Sequence, residues 1–422
     1  MSTDSPGANR KTITTGIVGN ILEWYDFAIY GYFAPIIGRQ FFPSDNETAS
    51  ILAAFGVFAA GYLARPFGGM FFGHISDKAG RKAVLILSVC MMGVSTFLIG
   101  VLPGYAEIGV SAAVILIILR VVQGFSVGGE FAGSIIFLAE NAPKNRRGFT
   151  ASWSTVGASS GFLLGSGVGA LFTAILSPEV MGDWGWRVPF LIGILIGLVG
   201  LYVRRDIEEK ELEESEFAED EISFLDALKS QWRNMFRICG IILMANVGFY
   251  LMFVYITSYL TEFIHAPSDK VLEINTVSLI VLTIMGLVGG HLSDKIGRKP
   301  VLITLGLGVI FLSYPLMSLL THNNDLYILI GQVGFAILIG MTYGVNPATL
   351  VEIIPANVRG RTISVAYNVC LAAFGGTTPF VAEYLMSRTH DDYTPAYILI
   401  VVATISTAVV FSLKETAHKP LQ

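Results

Sequence analysis

The fold follows from a stretch that occurs twice, as GHISDKAGRKAV at 73–84 and as GHLSDKIGRKPV at 290–301. The two copies agree at nine of twelve positions and lie 217 residues apart. A second pattern, Glu-x-x-Pro-x-x-x-Arg-Gly, occurs at 140–148 and at 352–360, with an offset of 212 residues. Two different patterns that each recur after nearly the same number of residues are typical of a chain built from two similar halves.

The composition indicates that both halves lie in a membrane. Of the 422 residues, 53% are apolar and only 14% are charged, and the mean hydropathy is +0.64. A soluble chain of this size would carry about a quarter charged residues. The net charge of −5 does not favour a nucleic-acid partner. The sequence has no strand-P-loop-helix unit, so neither ATP hydrolysis nor another enzyme activity is expected.

Apolar stretches long enough to cross a bilayer, which takes about 20 residues per helix, occur twelve times. They lie at 13–41, 48–75, 83–103, 109–138, 149–176, 186–203, 236–264, 271–293, 300–320, 326–351, 361–387 and 393–413. Both copies of each repeated pattern fall in loops on one side of the membrane, so each half must contain an even number of spans. The predicted fold is an all-α membrane protein of twelve transmembrane helices, arranged as two six-helix bundles related by a parallel repeat.

The spans also predict the domain limits and the orientation. An N-terminal bundle is expected at 1–203, a cytoplasmic acidic linker at 204–235, a C-terminal bundle at 236–414 and a short cytoplasmic tail at 415–422. Basic residues stay on the cytoplasmic side of a membrane. With the N-terminus inside, the only Lys and Arg residues in outer segments are Arg39, Arg187, Lys270 and Arg388. Both termini are therefore expected in the cytoplasm.

The repeated loops predict a gate on the cytoplasmic side. Their small, acidic and basic positions form the predicted gating motif: Gly73, Asp77, Gly80, Arg81, Lys82, Gly290, Asp294, Gly297, Arg298 and Lys299. The glycines allow close helix approach and a turn, the aspartates can face a helix N-terminus, and the basic residues are expected to meet the anionic inner leaflet. The alternative is a basic cytoplasmic turn with no gating role.

Five ionisable residues lie deep in predicted spans of the first half: Glu23, Asp26, Arg65, Arg120 and Glu130. Such residues are costly in a membrane and usually serve transport. Three carboxylates and two guanidiniums leave one negative charge, which one bound proton would neutralise. Burial favours the protonated form of a carboxyl group. Asp26, Glu130 or Glu23 is therefore expected to exchange a coupling proton. A fixed network of ion pairs is the alternative.

The repeated loop resembles the signature loop of the major facilitator superfamily. Further stretches resemble its metabolite:proton symporter branch: GNILEWYDFAIYG at 19–31, ARPFGG at 64–69, RVVQGFSVGGEFAGS at 120–134, AENAPKNRRGF at 139–149 and DWGWRVPF at 183–190. ANVGFYLMFVYITSYL at 245–260 and LKETAHKPL at 413–421 are most similar to bacterial proline/betaine transporters. The resemblance implies a proton-coupled symporter in the bacterial cytoplasmic (inner) membrane that works by alternating access.

The second half favours a small zwitterion or monoanion as substrate, because its predicted spans contain no embedded cation. Among such substrates, the resemblance to proline/betaine transporters implies proline or glycine betaine. Arg65 and Arg120 are expected to bind a carboxylate. Aromatic residues are expected to surround an ammonium group, namely Trp24, Tyr25, Tyr30, Tyr250 and Tyr255.

Two other functions stay open. One is a mono- or dicarboxylate:proton symporter of the 2-oxoglutarate, citrate or shikimate type, and competition between labelled substrates would separate it. The other is a membrane nutrient sensor that does not transport its ligand. The expected partners are a small-molecule substrate, protons and membrane lipids. No cofactor or metal is expected, and the chain is expected to work as a monomer.

Overall fold

The computed structural model describes residues 20–21, 23–79, 81–128, 130–143, 145–205, 224–322 and 324–421. Side chains are described at these positions except 73–79, 81–85, 130, 196, 200–205 and 224–228. Within these residues the regular structure is helical, with no strand.

Six helical segments form the first bundle. Segment α1 comprises residues 20–21 and 23–32, followed by Ala34–Phe41. The next are α2 at Glu47–Ala79, α3 at Arg81–Val101, α4 at Val110–Ser126 with Glu130–Glu140, α5 at Arg147–Ala151 with Trp153–Ile175, and α6 at Arg187–Arg205. A short bent approach, Pro178–Val180 and Met181–Gly185, precedes α6.

Six further segments form the second bundle. Segment α7 runs through Phe224–Phe249, a π-helical turn at Tyr250–Tyr255, and Ile256–Glu262. It is followed by α8 at Ser268–Ile296, α9 at Arg298–Leu320 and α10 at Asp325–Glu352. Segment α11 runs through Ala356–Cys370, a second π-helical turn at Leu371–Gly375, and Thr378–Thr389, and α12 is Thr394–Ser412.

The lengths of these segments suit a bilayer. Among the described residues, nine helices are each long and apolar enough to span it. A tenth span is the pair Pro178–Gly185 and Arg187–Val199, which is bent by 52°. The shorter apolar helix Ile86–Val101 in α3 and the segment α1 complete the twelve predicted spans.

Both bundles use the same glycine crossing. A Cβ atom on Gly124 in α4 would lie 1.7 Å from the Gly61 carbonyl oxygen in α2, and one on Gly344 in α10 would lie 1.7 Å from the Gly286 oxygen in α8. Only glycine permits such contact, and small residues are how helices approach closely in lipid. The repeat read from the loops therefore extends to the packing of the second and fourth helices of each half.

Two predicted spans differ from the observed helices. The span at 109–138 was expected to be continuous, but α4 ends at Ser126 and resumes at Glu130. Segment α7 begins at Phe224 rather than at 236, so part of the predicted linker is helical. Trp232 and Phe236 are exposed beside polar residues there, and averaging hydropathy over a long window hides such an amphipathic turn. Residues 206–223 of the predicted linker lie outside the described residues.

Candidate functional site

A small central cavity lies where the two bundles meet. Helices of both halves line it with Trp24, Phe131, Thr155, Ala158, Ser159, Phe162, Phe249, Tyr250, Leu282, Tyr343 and Tyr367. Its volume is ≈ 10 Å³, about enough for one water molecule. The side chains therefore close around this point, and admission of a substrate requires the bundles to move apart.

Aromatic rings form most of the cavity wall. The ring centre of Phe162 lies 5.8 Å from that of Trp24 and 4.6 Å from that of Phe249, which belongs to the other bundle. The Phe131 ring meets Trp24 edge-on at 5.7 Å. Aromatic faces of this kind attract an ammonium group, most strongly when it is desolvated. We call Trp24, Phe131, Phe162 and Phe249 the aromatic box.

Arg65 stands beside the aromatic box. Its guanidinium carbon lies 4.9 Å from the Trp24 ring centre, and its Nη2 donates to Glu23 Oε1 at 2.6 Å. Its Nε donates to Oδ1 of Asn368, across the bundle interface, at 3.4 Å. Its buried Nη1 makes no hydrogen bond to the described residues. A guanidinium with a free N–H group is suited to a carboxylate ligand.

A chain of hydrogen bonds connects Asp26 to Arg120. Arg120 Nη1 donates to Gln123 Oε1 at 2.9 Å, Gln123 Nε2 donates to Thr96 Oγ1 at 2.6 Å, and Thr96 Oγ1 donates to Asp26 Oδ2 at 2.6 Å. All four residues are buried. The Arg120 guanidinium carbon also lies 4.2 Å from the Tyr30 ring centre. Two neutral side chains thus separate the buried acid from the buried arginine.

Buried ion pairs join the bundles at the end that carries Asp294, Arg298 and Glu352, which we call the latch end. Arg147 Nη1 lies 2.9 Å from Glu352 Oε1, and Arg359 pairs with Glu140. Each glutamate of the repeated Glu-x-x-Pro-x-x-x-Arg-Gly pattern therefore pairs with the arginine of the other copy. Arg298 also contacts Glu352, at 3.1 Å. The second repeated pattern is a crossed clamp between the halves.

Asp294 links the latch end through backbone groups. Its carboxylate oxygens accept hydrogen bonds from the N–H groups of Gly148 at 2.7 Å and Phe149 at 2.8 Å, at the start of α5. The sequence analysis expected such a helix N-terminus partner. A Cβ on Gly290 would lie 2.6 Å from the Gly148 oxygen, so glycine allows this approach. Gly297 has φ +104° and makes the turn from α8 to α9.

The opposite end, which carries Arg39 and Glu262 and which we call the far end, is more open. Arg39 Nη1 lies 3.2 Å from Glu262 Oε1 across the bundles and 2.7 Å from Glu47. The Arg39 side chain is 47% exposed. A cavity of ≈ 320 Å³ extends beside this pair between the two bundles, and Tyr32, Ser258 and Asp269 are among its lining residues.

Comparisons with known proteins agree on the family. The Major Facilitator Superfamily profile matches residues 16–370 and again 273–422. The chain belongs to the major facilitator superfamily. It is 36% identical to the Proline/betaine transporter of Salmonella typhimurium over 99% of this chain and 85% of that protein. It is 35% identical to the Glycine betaine/proline/ectoine/pipecolic acid transporter OusA of Dickeya dadantii, over the same shares of the two chains.

Solved structures show the same fold. The proton:xylose symporter XylE bound to 6-bromo-6-deoxy-D-glucose superposes with a TM-score of 0.77, covering 98% of this chain and 97% of that one, at 17% identity. Membership of the major facilitator superfamily makes the chain a multi-pass membrane transporter and not an enzyme.

The structure separates the predicted site residues of this transporter. Trp24, Arg65 and Tyr250 meet at the central cavity or beside it, and Glu23 pairs with Arg65. Two other predicted ligands have their hydroxyl groups engaged elsewhere. Tyr25 donates to the Pro189 oxygen in α6, and Tyr30 donates to the Ala54 oxygen in α2. The structure does not bring these two tyrosines to the central cavity, because their hydroxyl groups bind helices of their own bundle.

Tyr255 is also misplaced by the sequence analysis. It lies near the far end, where its ring centre is 6.0 Å from that of Phe55, and it does not line the central cavity. Arg120 is withdrawn beneath Tyr30 and bound to Gln123. The Glu130 side chain and the first copy of the gating motif, Gly73, Asp77, Gly80, Arg81 and Lys82, lie outside the described side chains.

The second basic pair of the gating motif contacts groups within the protein. The Arg298 side chain is buried between Asp294 and Glu352. Lys299 Nζ donates to the carbonyl oxygens of Phe411 and Leu413, both at 2.8 Å, at the end of α12. The Arg298 cation is therefore satisfied inside the protein and not at a leaflet surface. Lys299 is only partly buried, and its contact with the leaflet stays a prediction.

Phe131 and Phe162 of the aromatic box were not predicted from the sequence, and neither were four polar residues of the site. Thr96 and Gln123 form the connection to Asp26. Across the bundle interface, Asn368 contacts Arg65, and the Tyr62 hydroxyl lies 2.8 Å from that of Tyr250. Their one signal is a neutral polar group within an apolar span. That signal is weak, because such groups often bond to the preceding turn of their own helix.

Proposed function

We propose that this transporter carries proline, glycine betaine or a related small zwitterion into a bacterial cell together with a proton. It would lie in the cytoplasmic membrane with both termini inside, and would work as a monomer without a cofactor. The observation that carries this proposal is the position of Arg65 beside the aromatic box at the interface of the bundles. A guanidinium can bind a carboxylate while aromatic faces hold an ammonium group. The names of the relatives support the same substrate class.

Asp26 is the proposed proton carrier. It reaches Arg120 only through Thr96 and Gln123, whereas Glu23 makes a direct ion pair with Arg65. A buried carboxyl group without an adjacent cation favours the protonated form. Release of the proton to the cell interior would leave Asp26 negatively charged at one end of the chain of hydrogen bonds. Arg120, at the other end, can stabilise that charge. The bundles would then return empty.

Alternating access would follow from the two ends of the protein. The latch end would face the cytoplasm and is held closed by Asp294 and the crossed clamp. Substrate would enter from the far end and reach the aromatic box as the bundles rock. Closure of the far end would then precede release at the latch end.

Uptake and exchange in proteoliposomes test the proposal. A panel of labelled proline, glycine betaine, 2-oxoglutarate and citrate identifies the substrate class. Asp26→Asn should lose accumulation against a gradient but keep substrate exchange, because exchange needs no proton release. Arg65→Gln should lose both, because it removes the partner of the substrate carboxylate. Glu273→Gln, at an exposed acid paired with Lys270, is the matched control and should behave as the wild type.

Two results would contradict the proposal. Preferred uptake of a dicarboxylate would favour the other symporter, and binding without uptake would favour a sensor. One proton entering with one zwitterion moves one charge, so a potential of about 150 mV contributes about 3.5 kcal/mol, or roughly 300-fold accumulation. Failure of an inside-negative diffusion potential to drive uptake would rule out this stoichiometry.

A further inference from the structure

Glu383 is a buried acid that the proposed transport cycle does not use. It lies in the last part of α11, and only 1% of its surface is exposed. Within the part of the chain that the structure describes, neither carboxyl oxygen has a hydrogen-bond partner and no cation forms an ion pair with the residue. A charged carboxylate in such a place would be unfavourable, because neither a hydrogen bond nor a cation compensates for its lost hydration. The neutral carboxylic acid is therefore the form that fits this closed state.

Tyrosine and other aromatic residues surround Glu383. The last part of α11 packs against α2, against the π-helical turn of α7, and against α12. The Tyr255 hydroxyl faces Glu383, but it too lacks a hydrogen bond of acceptable geometry. One further acid, Glu262, acts on Glu383 by charge repulsion, and it also contacts Arg39, as does Glu47. The other titratable groups on these elements have other neighbours: Arg65 contacts Glu23, Arg388 lies over Tyr384, and Asp391, Asp392 and Tyr393 surround Tyr259.

Glu383 also lies close to the interface between the bundles. Tyr255 packs against Phe55 of α2. Phe380, one turn before Glu383, would lie 3.8 Å from a Cβ on Gly56 of α2. If the far end opens as the proposed alternating access requires, α2 would move away from α7 and α11, and water would reach the carboxyl group. Opening would then replace the apolar surroundings of Glu383 by water.

We propose that Glu383 is a second proton-binding site, loaded in the closed state and able to release its proton to water when the far end is open. The O–H bond of the acid breaks, water accepts the proton, and the resulting carboxylate cannot be buried again until a proton returns. Closure of the far end would therefore require a proton from the outer solution. This inference rests on the proposed orientation and alternating access, but it does not require Asp26 to be the coupling site.

Cross-linking across the interface tests the site without transport. Gly56→Cys and Phe380→Cys are combined in a chain whose three native cysteines are replaced by serine. Raising the pH from about 6 to about 9 should lower the yield obtained with a short thiol cross-linker by at least about threefold. The reason is that each pH unit above the pKa of a carboxyl group reduces its protonated fraction up to tenfold. Thiols react faster at high pH, so the chemistry alone would raise the yield.

Two variants decide the outcome. Glu383→Gln should make the yield independent of pH at its high value, while Glu383→Asp, which keeps a titratable acid, should retain the fall. The same fall in Glu383→Gln, or no fall in the parent chain, would overturn the proposal. Loss of cross-linking in Glu383→Gln at every pH would also overturn it, because the neutral amide should permit closure.

Exchange transport separates this proposal from the proposed coupling at Asp26. In the Asp26→Asn background, exchange should fall as the outer pH rises, and adding Glu383→Gln should remove that fall. If Asp26→Asn abolishes exchange, the coupling proposal fails, while the cross-linking result still decides the role of Glu383. An unchanged pH dependence of exchange in the double variant would count against Glu383 alone.

Discussion

The latch end and the far end of the protein are closed by different means. At the latch end, Glu352 is buried between Arg147 and Arg298, and Asp294 binds the start of α5. At the far end, the charged contact between the bundles is that of Arg39 with Glu262, and Arg39 is 47% exposed. Breaking a buried pair costs about 3–5 kcal/mol, whereas an exposed pair contributes about 0–1 kcal/mol. The far end is therefore expected to open more easily.

The difference also follows the sequence repeat. Both charged patterns of the latch end occur twice, and the members of the Glu-x-x-Pro-x-x-x-Arg-Gly pattern pair across the halves. Arg39 and Glu262 belong to no repeated pattern. The duplication has thus provided a crossed clamp at one end, while the other end depends on aromatic packing and on the exposed pair.

The largest effect is expected from Glu352→Gln. The amide leaves Arg147 and Arg298 buried beside a neutral group, so the closed latch should lose about 3–5 kcal/mol. A cysteine in place of the buried Ser152, which lies beside Gly290, reports opening of this end. Its alkylation rate should rise by about 100-fold or more, since 1.4 kcal/mol corresponds to a factor of ten.

A second substitution sharpens this prediction. Arg298 keeps Asp294 as a partner in Glu352→Gln, so adding Arg147→Met removes the cation that has lost its ion pair and should recover part of the loss. Glu273→Gln is the control at an exposed pair. An alkylation rate unchanged by Glu352→Gln would mean that the buried pairs do not hold the latch end closed.

A smaller effect is expected from Asp294→Asn. The amide can still accept through one oxygen but loses the charge that binds two backbone N–H groups and Arg298. Because Arg298 keeps Glu352 as a partner, the expected change is about 2 kcal/mol. The transport rate should fall roughly tenfold, while equilibrium substrate binding in detergent should survive. The repeat predicts the same response for Asp77→Asn. Equal loss of binding and transport would place Asp294 in the substrate site or in folding.

The fold could be predicted because its signals are local. A span needs only a sufficient apolar length, and matched loops establish the repeat. The candidate site was predicted in part, because Glu23, Asp26, Arg65 and Arg120 are conspicuous in apolar spans. Trp24 and Tyr25 show where this fails. Neighbours on a helix differ by about 100° in direction, so Trp24 faces the cavity and Tyr25 faces α6.

Other parts of the site depend on packing between distant helices. Thr96 and Gln123 gain their role only when α3 and α4 meet α1, which no local pattern reveals. Glu383 carries the same signal as Glu23 but lies near the end of the predicted span 361–387, where a carboxylate is expected to reach water. The structure buries it instead.

The third prediction concerns pH at the latch end. Burial disfavours the charge on Glu415 and by itself would raise the pKa of its carboxyl group. Hydrogen bonds from four backbone N–H groups outweigh this effect and lower the pKa; they come from Ala417, Arg298, Lys299 and Thr416. The carboxylate therefore stabilises the fold above its ordinary pKa of about 4.3, and this contribution is lost as the pH falls through the lower folded value. Glu415→Gln should lower the thermal unfolding midpoint by a few degrees at pH about 7.

The difference in unfolding midpoint between the wild type and Glu415→Gln should vanish at acidic pH. At a pH well below the lowered folded pKa, the wild-type carboxyl group is protonated and binds the four N–H groups no better than the amide. Equal midpoints of the two proteins at neutral pH, or a difference that grows in acid, would contradict the assigned contacts of Glu415.

The smallest effect is expected from Glu262→Gln at the far end. Arg39 keeps Glu47 as a partner at 2.7 Å, and its exposed guanidinium stays hydrated, so closure should lose less than about 1 kcal/mol. Cross-linking between Gly56→Cys and Phe380→Cys should then change by no more than about fivefold. High salt should reduce even this difference, because exposed pairs are screened. A change as large as that from Glu352→Gln would mean that the far end also depends on its ion pair, and the contrast between the two ends would fail.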